Sequence, residues 1–279
     1  MKIGAIIQAR SSSSRLPKKV LKSLPYGSNI TVLEQVIRRL KQSKLLDEII
    51  VATTVNGDDD EIVAIAEKEN VLYFRGSEFN VLERYYETAL DNQLDVVVRI
   101  TSDCPCVDFT IVDSVIQNHL DSNANYTSNS LVESFPRGID VEVINFDALK
   151  KAFNEWSFEF EKEHVTPFIY KSHPEDFKIN SFVNDNLNCS DIRITLDTSK
   201  DYALLCAIYD YLYYENEFFL LEDILKLFDE KPWLKIINED IIQKRVCSNL
   251  EEELEEAINL LNTQDLNKAK DFIEGLFRT

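Results

Sequence analysis

Ser11 to Ser14 form an unbroken run of serines between Arg10 and Arg15, and Lys18 and Lys19 follow Pro17. Guanidiniums, ammoniums, hydroxyls and the backbone N–H groups of an irregular loop make a donor set suited to a poly-anion, and a triphosphate is the ligand it fits best. Two carboxylates lie far along the chain, Asp103 in ITSDCP and Asp197 in ITLDTS. Each follows a short β-type run and so would stand at the carboxyl end of a strand, well placed to carry Mg²⁺ on bound phosphates. Asp103 has a second reading, as the cap of the next helix or turn, and spacing alone leaves the two open. Cations for the phosphates and carboxylates for a metal are the minimal equipment of a nucleotidyl transfer, in which an acceptor attacks the α-phosphorus in line. Neither GxxxxGK[ST] nor GxGxxG occurs, which argues against a P-loop kinase and a Rossmann dehydrogenase.

The elements that must deliver these residues alternate between strand and helix. Ile3 to Ile7 is an apolar run of the kind buried in parallel sheets, and it empties directly into the serine loop. Thr31 to Leu45 has the spacing of an amphipathic helix, with Thr31 as cap and Glu34 at capping-box distance. Asp47 to Thr54 reads as a strand, Asn56-Gly57 as a turn and Asp58 to Asn70 as an acidic helix. Val71 to Ser77 is a third strand ending in Arg75-Gly76-Ser77, Val81 to Leu90 a third helix, and Asp95 to Pro105 a fourth strand, with Val96 to Ile100 buried ahead of Asp103. This rhythm predicts an α/β fold with a doubly wound, mostly parallel sheet, whose ligands sit at the carboxyl ends of the strands.

From Asn123 the rhythm loosens. Asn125 to Ser134 reads as extended, Arg137-Gly138 as a turn, Ile139 to Ile144 as a strand with Asp140 and Glu142 on one face, and a helix begins near Asp147. His164 lies in a helical segment that stops near Pro174, while His119 reads as an ordinary surface residue. A polar extended stretch runs through Asn188, Arg193 to Leu196 is predicted as a strand, and Ser199 to Leu212 as a helix. Leu221 to Phe228, Leu250 to Leu261 and Leu266 to Phe277 read as acidic helices, a cap or an oligomer contact. The expected division is a domain over 1–220, with an insertion over about 123–190, and a helical extension over 221–279.

The 279 residues carry a net charge of −19, which argues against nucleic acid or an anionic membrane as partner. Residues 1–44 nevertheless hold Lys2, Arg10, Arg15, Lys18, Lys19, Lys22, Arg38, Arg39, Lys41 and Lys44 against the single acid Glu34, a local basic patch suited to a small anionic ligand. The five cysteines form no CxxC pair, and Cys104 and Cys106 lack a second Cys/His pair for zinc. With neither a signal-peptide pattern nor an apolar run of membrane-spanning length, a cytoplasmic protein with free thiols is expected.

The blocks IIQARSSSSRLPKKVL, DEIIVATT, FRGSEFNVLERY, VRITSDCP, FPRGIDVEV, KEHVTPFIY and ITLDTSKDY resemble, in order over about residues 1–210, the spore-coat polysaccharide (SpsF-type) branch of the cytidylyltransferases. The first block is also similar to CMP-Kdo and CMP-acylneuraminate synthetases. The resemblance implies a Rossmann-like nucleotidyltransferase fold with a β-rich dimerisation insertion and a homodimer. It implies that Arg10, Ser13, Arg15 and Lys19 contact CTP phosphates, that Gln8, Ala9 and Arg75, Gly76 and Ser77 surround the nucleoside, and that Asp103 and Asp197 bind Mg²⁺. It places Arg137, Asp140, Glu142, Glu163 and His164 on the acceptor side. The sequence departs from the branch at Lys18, where glycine is usual, at Cys106 to Phe109, at Lys162 and at Ser199.

The reading that follows is an Mg²⁺-dependent enzyme that joins CMP from CTP to a small acidic or phosphorylated acceptor, releases pyrophosphate and serves surface-glycan synthesis. Arg10, Lys19 and Asp103 are its expected catalytic residues. A nucleotide-sugar-dependent glycosyltransferase is the nearest alternative; Asp58-Asp59-Asp60 has the letters of its metal motif but opens a predicted helix. A non-catalytic nucleotide-binding subunit is the other, against which Lys19, Asp103 and Asp197 together weigh.

Overall fold

Apolar runs ending in a few polar residues account for the sheet. The computed structural model describes residues 1–184, 189–242, 247 and 249–277. Strands β1 (Ile3–Gln8), β2 (Glu48–Thr54), β3 (Leu72–Gly76) and β4 (Val96–Thr101) alternate with helices α1 (Val32–Leu40), α2 (Asp60–Lys68), α3 (Val81–Asp91) and α4 (Phe109–Ser122). After these come β5 (Tyr126–Ser128), β6 (Glu142–Asn145), α5 (Phe146–Glu155), α6 (Glu159–His164), β7 (Ile179–Ser181), α7 (Ser199–Leu212) and α8 (Leu221–Glu230). The tail ends in α9 (Leu250–Thr263) and α10 (Asn267–Phe277).

The seven strands are ordered β3-β2-β1-β4-β6-β5-β7, and only β6 runs against its neighbours. The expected doubly wound, mostly parallel α/β sheet and helical tail are therefore what the chain forms. Period-two alternation divides the core: Ile7, Val98 and Ile100 pack with Val36, Ile37 and Val115 on one face, and Ile6, Val97 and Ile50 pack with Leu82, Tyr85 and Leu149 on the other. A third apolar cluster joins Leu196, Leu205 and Ile208 to Ile224, Phe228 and Leu234. Thr31 and Glu34 form the expected capping box on α1.

Two compact units divide the chain, one of residues Met1–Trp156 with Glu161–Asp240, the other of Ser157–Phe160 with Ile241–Thr279. Residues 221–240 thus share the core of the first unit. No helix among the described residues is long and apolar enough to cross a membrane.

Three local readings change. His119 is buried, not a surface residue, because its ring nitrogens bond Thr127 Oγ1 and Asn145 Oδ1 across the α4–β5–β6 layer, each at 2.9 Å. Arg193 to Leu196 forms no strand; only Arg193 bridges, to Arg137. The helical segment expected to stop near Pro174 is broken in two: α6 ends at His164, where Val165 turns the backbone left-handed at φ 72°, and a π-helical turn, Phe168–Ser172, runs up to Pro174. The end of the extended stretch expected through Asn188, residues 185–188, lies outside the described residues.

Candidate active site

β1 sits between β2 and β4, where the direction of winding reverses, and Gln8 pairs with Thr101. The loops carrying Arg10 and Asp103 therefore leave the sheet side by side at the crevice where α/β sheets bind ligands. Lys19 Nζ donates to Asp103 Oδ2 at 2.6 Å and to Asp197 Oδ1 at 2.8 Å. Arg15 Nη2 lies 3.0 Å from the same Asp197 oxygen. The Lys19 and Asp197 side chains are each 14% exposed, which shields them from the screening that weakens surface ion pairs. Burial opposes the Lys19 charge, but the two carboxylates outweigh it and raise its pKa. Burial likewise works against ionised Asp197, yet Lys19 and Arg193 hold its pKa at about 2.

The two aspartates are tied together through the backbone. The Asp103 carbonyl accepts from Leu196 N at 2.8 Å and Thr195 Oγ1 at 3.2 Å, and Tyr209 Oη donates to the Pro105 carbonyl at 2.7 Å. The capping role left open for Asp103 belongs instead to Asp108, whose Oδ1 accepts from Thr110 N and Ile111 N at the start of α4. Lys18, the residue standing where the branch has glycine, sits at φ 52°, the left-handed backbone that glycine adopts without steric cost. Its ammonium pairs with exposed Glu61 of α2 at 2.6 Å.

Three loops at the carboxyl edge are stitched together. Asp59, buried after β2, accepts from Ser11 N at 2.7 Å and from Thr54 Oγ1. Glu78 joins Ser12 to Asn56, and Arg75 donates to the carbonyls of Thr54 and Asn56 and to Asp60. Ala9 is buried and bonds the Ala52 carbonyl, Gln8 Oε1 accepts from Arg99, Arg10 is exposed and Ser13 half-buried on the loop. Gly76 runs along the stem of Arg84: a Cβ there would meet Arg84 Cγ at 3.3 Å and the Phe74 ring at 2.8 Å. Arg84 is buried and donates to the Ser77 carbonyl at 2.7 Å.

On the remaining side, the Arg137-Gly138 turn lies against the segment that ends in Asp197, through Arg137 N to Ile192 O at 2.9 Å and Ile194 N to Arg137 O at 2.8 Å. Asp140 accepts from Arg137 Nη1 at 3.2 Å and Gly138 N at 3.1 Å. Burial pushes the Asp140 carboxyl up, against the pull of Arg137. Glu142 takes another direction: buried in register with Arg99, it pairs with that guanidinium and accepts from Tyr126 Oη at 2.7 Å. Glu163 is exposed and His164 half-buried in the last turn of α6.

The basic run of residues 1–44 does not gather in one patch. Arg39 is buried on the carbonyls of Val107 and Phe219, Arg38 pairs with Glu69 and Lys2 with Glu48, so the loop itself keeps Arg10, Arg15, Lys18 and Lys19. Sequence reasoning passed over Asp59, which looked like a helix-opening acid, and Arg193, which looked like a strand residue. As a test of metal fit, two hard carboxylate oxygens converge on one cationic atom, Lys19 Nζ, which is the donor chemistry magnesium takes. Among the described residues no third His, Cys, Asp or Glu joins them, so phosphate and water oxygens would supply the other ligands.

Comparison with known proteins gives the family. The family model described as cytidylyltransferase matches residues 4–272. An uncharacterized protein of Methanocaldococcus jannaschii is 39% identical over 249 residues, 88% of this chain and 97% of that protein. The spore coat polysaccharide biosynthesis protein SpsF of Bacillus subtilis is 35% identical over 210 residues, 73% of this chain and 85% of its own length. The solved structure of a cytidylyltransferase from Leptospira borgpetersenii has a TM-score of 0.79 and 31% identity, and the match covers 88% of this chain and 100% of that one. A cation-lined loop after β1, two aspartates meeting at one lysine, and a family match over nearly the whole length lead to one conclusion: the chain belongs to the cytidylyltransferase family, as a CTP-dependent nucleotidyltransferase.

Proposed function

We propose that this enzyme transfers CMP from CTP to a small acidic or phosphorylated acceptor, a sugar acid or a relative of one, in surface-glycan synthesis. The observation that carries this reading is the Lys19 ammonium shared by Asp103 and Asp197, with Arg15 beside it. A cation caged by two carboxylates can move to a triphosphate when one arrives and free those carboxylates for a metal. Arg10, Ser13, Arg15 and Lys19 take the phosphates, and Lys19 and Arg10 offset the charge gathering on the leaving pyrophosphate. Gln8, Ala9 and Arg75 to Ser77 border the nucleoside. Asp103 and Asp197 would hold Mg²⁺, which supplies Lewis-acid polarisation of the α-phosphate and alignment of the incoming oxygen. The acceptor oxygen attacks directly, so no protein nucleophile is required. Arg137, half-exposed and beside Asp140, is the cation an anionic acceptor would meet, and Glu142, Glu163 and His164 are assigned to the acceptor side in the same proposal.

Pyrophosphate release should appear with CTP, and not with ATP, GTP or UTP, across a panel of sugar acids, sugar phosphates and small carboxylated metabolites. Asp103→Ala and Asp197→Ala should each lose that release by about a hundredfold or more while keeping their circular dichroism. Release that persists in both variants would remove the metal assignment. A homodimer is proposed through the 123–190 region, and sedimentation at micromolar concentration should give twice the 32.3 kDa chain mass.

A further inference from the structure

Arg193 spans two carboxylates. Its Nη2 donates to Asp197 Oδ2 at 2.8 Å and its Nε to Asp201 Oδ1 at 2.9 Å. Asp201 is fully buried, and its Oδ2 accepts from the backbone N–H groups of Asp197 at 3.1 Å and Thr198 at 2.9 Å, at the start of α7. The fourth member comes from beyond α8. Asn238, 4% exposed, closes the 3₁₀ turn Pro232–Asn238, and its amide donates to Asp201 Oδ1 at 2.8 Å and to the Arg193 carbonyl at 3.1 Å. Each member thus holds the next, and the line ends on the Asp197 oxygen that faces away from Lys19.

An aspartate side chain turns about two bonds, and Lys19 and Arg15 pull on Oδ1 alone. Without a fixed partner on Oδ2 the carboxylate could rotate to share both oxygens with those cations, and its approach to a metal would be set by chance. We propose that Asn238, Asp201 and Arg193 are positioning residues that fix the Asp197 carboxylate with Oδ1 turned toward Lys19, making residues 232–238 a working part of the active site. This inference rests on the proposed role of Asp197 as a metal ligand.

The test uses the full chain, with Mn²⁺ as probe, and reads its affinity for the enzyme–CTP complex by electron paramagnetic resonance. Asn238→Ala removes no charge, and Arg193→Lys keeps the charge but replaces the separate Nε and Nη2 donors, fixed in one plane, with a single nitrogen on a flexible stem. Each should weaken Mn²⁺ binding about tenfold, the size seen when outer partners of a metal ligand are lost. CTP affinity in the presence of chelator should stay within about twofold of wild type, because the phosphate loop is untouched. Wild-type Mn²⁺ affinity in Asn238→Ala and Arg193→Lys, alongside a large loss in Asp197→Ala, would overturn the positioning role and leave the reading of the site intact. Wild-type affinity in Asp197→Ala would overturn that reading first. Should Arg193→Lys fail to fold, Asn238→Ala decides alone.

Discussion

Asp197 is the residue on which most of the electrostatics turns. Three cations, Lys19, Arg15 and Arg193, surround its two oxygens, and its folded pKa of about 2 lies below the ordinary 3.8. The sign follows from linkage: a depressed carboxylate stabilises the fold above its unfolded pKa and loses that stability as pH falls through the folded one. The gain, about 2 kcal/mol, is therefore full above pH about 5, mostly lost by pH about 2 and gone at pH about 1. Lys19 behaves in mirror image, stabilising below the ordinary lysine value of 10.5 and losing its contribution as pH rises through the raised one. Urea denaturation from pH 7 to 2 should show the acid limb, and Asp197→Asn should flatten it. An unchanged limb in the variant would assign the acid sensitivity elsewhere.

At the scale of elements, the site depends on short irregular segments pressed against strand ends. Gly138 is the tightest of these. Its φ is +109°, and a Cβ would lie 2.7 Å from the Ile194 carbonyl and Thr195 nitrogen, both backbone atoms that cannot swing aside. Gly138→Ala should therefore cost about 3 kcal/mol, combining left-handed strain with overpacking. Because the same turn bonds the 192–194 backbone, the variant should also lose turnover in excess of its loss of folded protein, measured by active-site titration. A Tm within a degree of wild type would mean that the backbone gives way more easily than this geometry allows.

For the whole molecule, the question is where the enzyme ends. Leu221, Ile224, Leu227, Phe228 and Leu234 are buried in the cluster that also holds Leu205 and Ile208. Each buried side chain of this size is worth about 2 kcal/mol, and together they approach the full stability of a domain. A chain truncated after Leu220 should aggregate or lose cooperative unfolding. One truncated after Asp240 keeps every residue of that cluster and should melt cooperatively, since residues 241–279 belong to the other compact unit and α9 buries none of its side chains. Differential scanning calorimetry of the two truncations distinguishes these outcomes.

Much of this was legible before any fold was known, because periodicity is a local property. Apolar runs marked β1, β2 and β4, three-and-four spacing marked α1 and α7, and the Thr31/Glu34 box marked a helix start. The chemistry of the serine loop and of the two aspartates was likewise written in residue types, although only Asp103 follows a strand. What the chain alone could not decide was partnership. That Lys19 lies between Asp103 and Asp197, 84 and 178 residues away, that Arg39 leaves the basic run to cap buried carbonyls, and that Asn238 reaches back to Asp201 are long-range contacts. They are set by which strands lie side by side and which helices share a core, and no spacing along the sequence encodes a distance closed only when the sheet has formed.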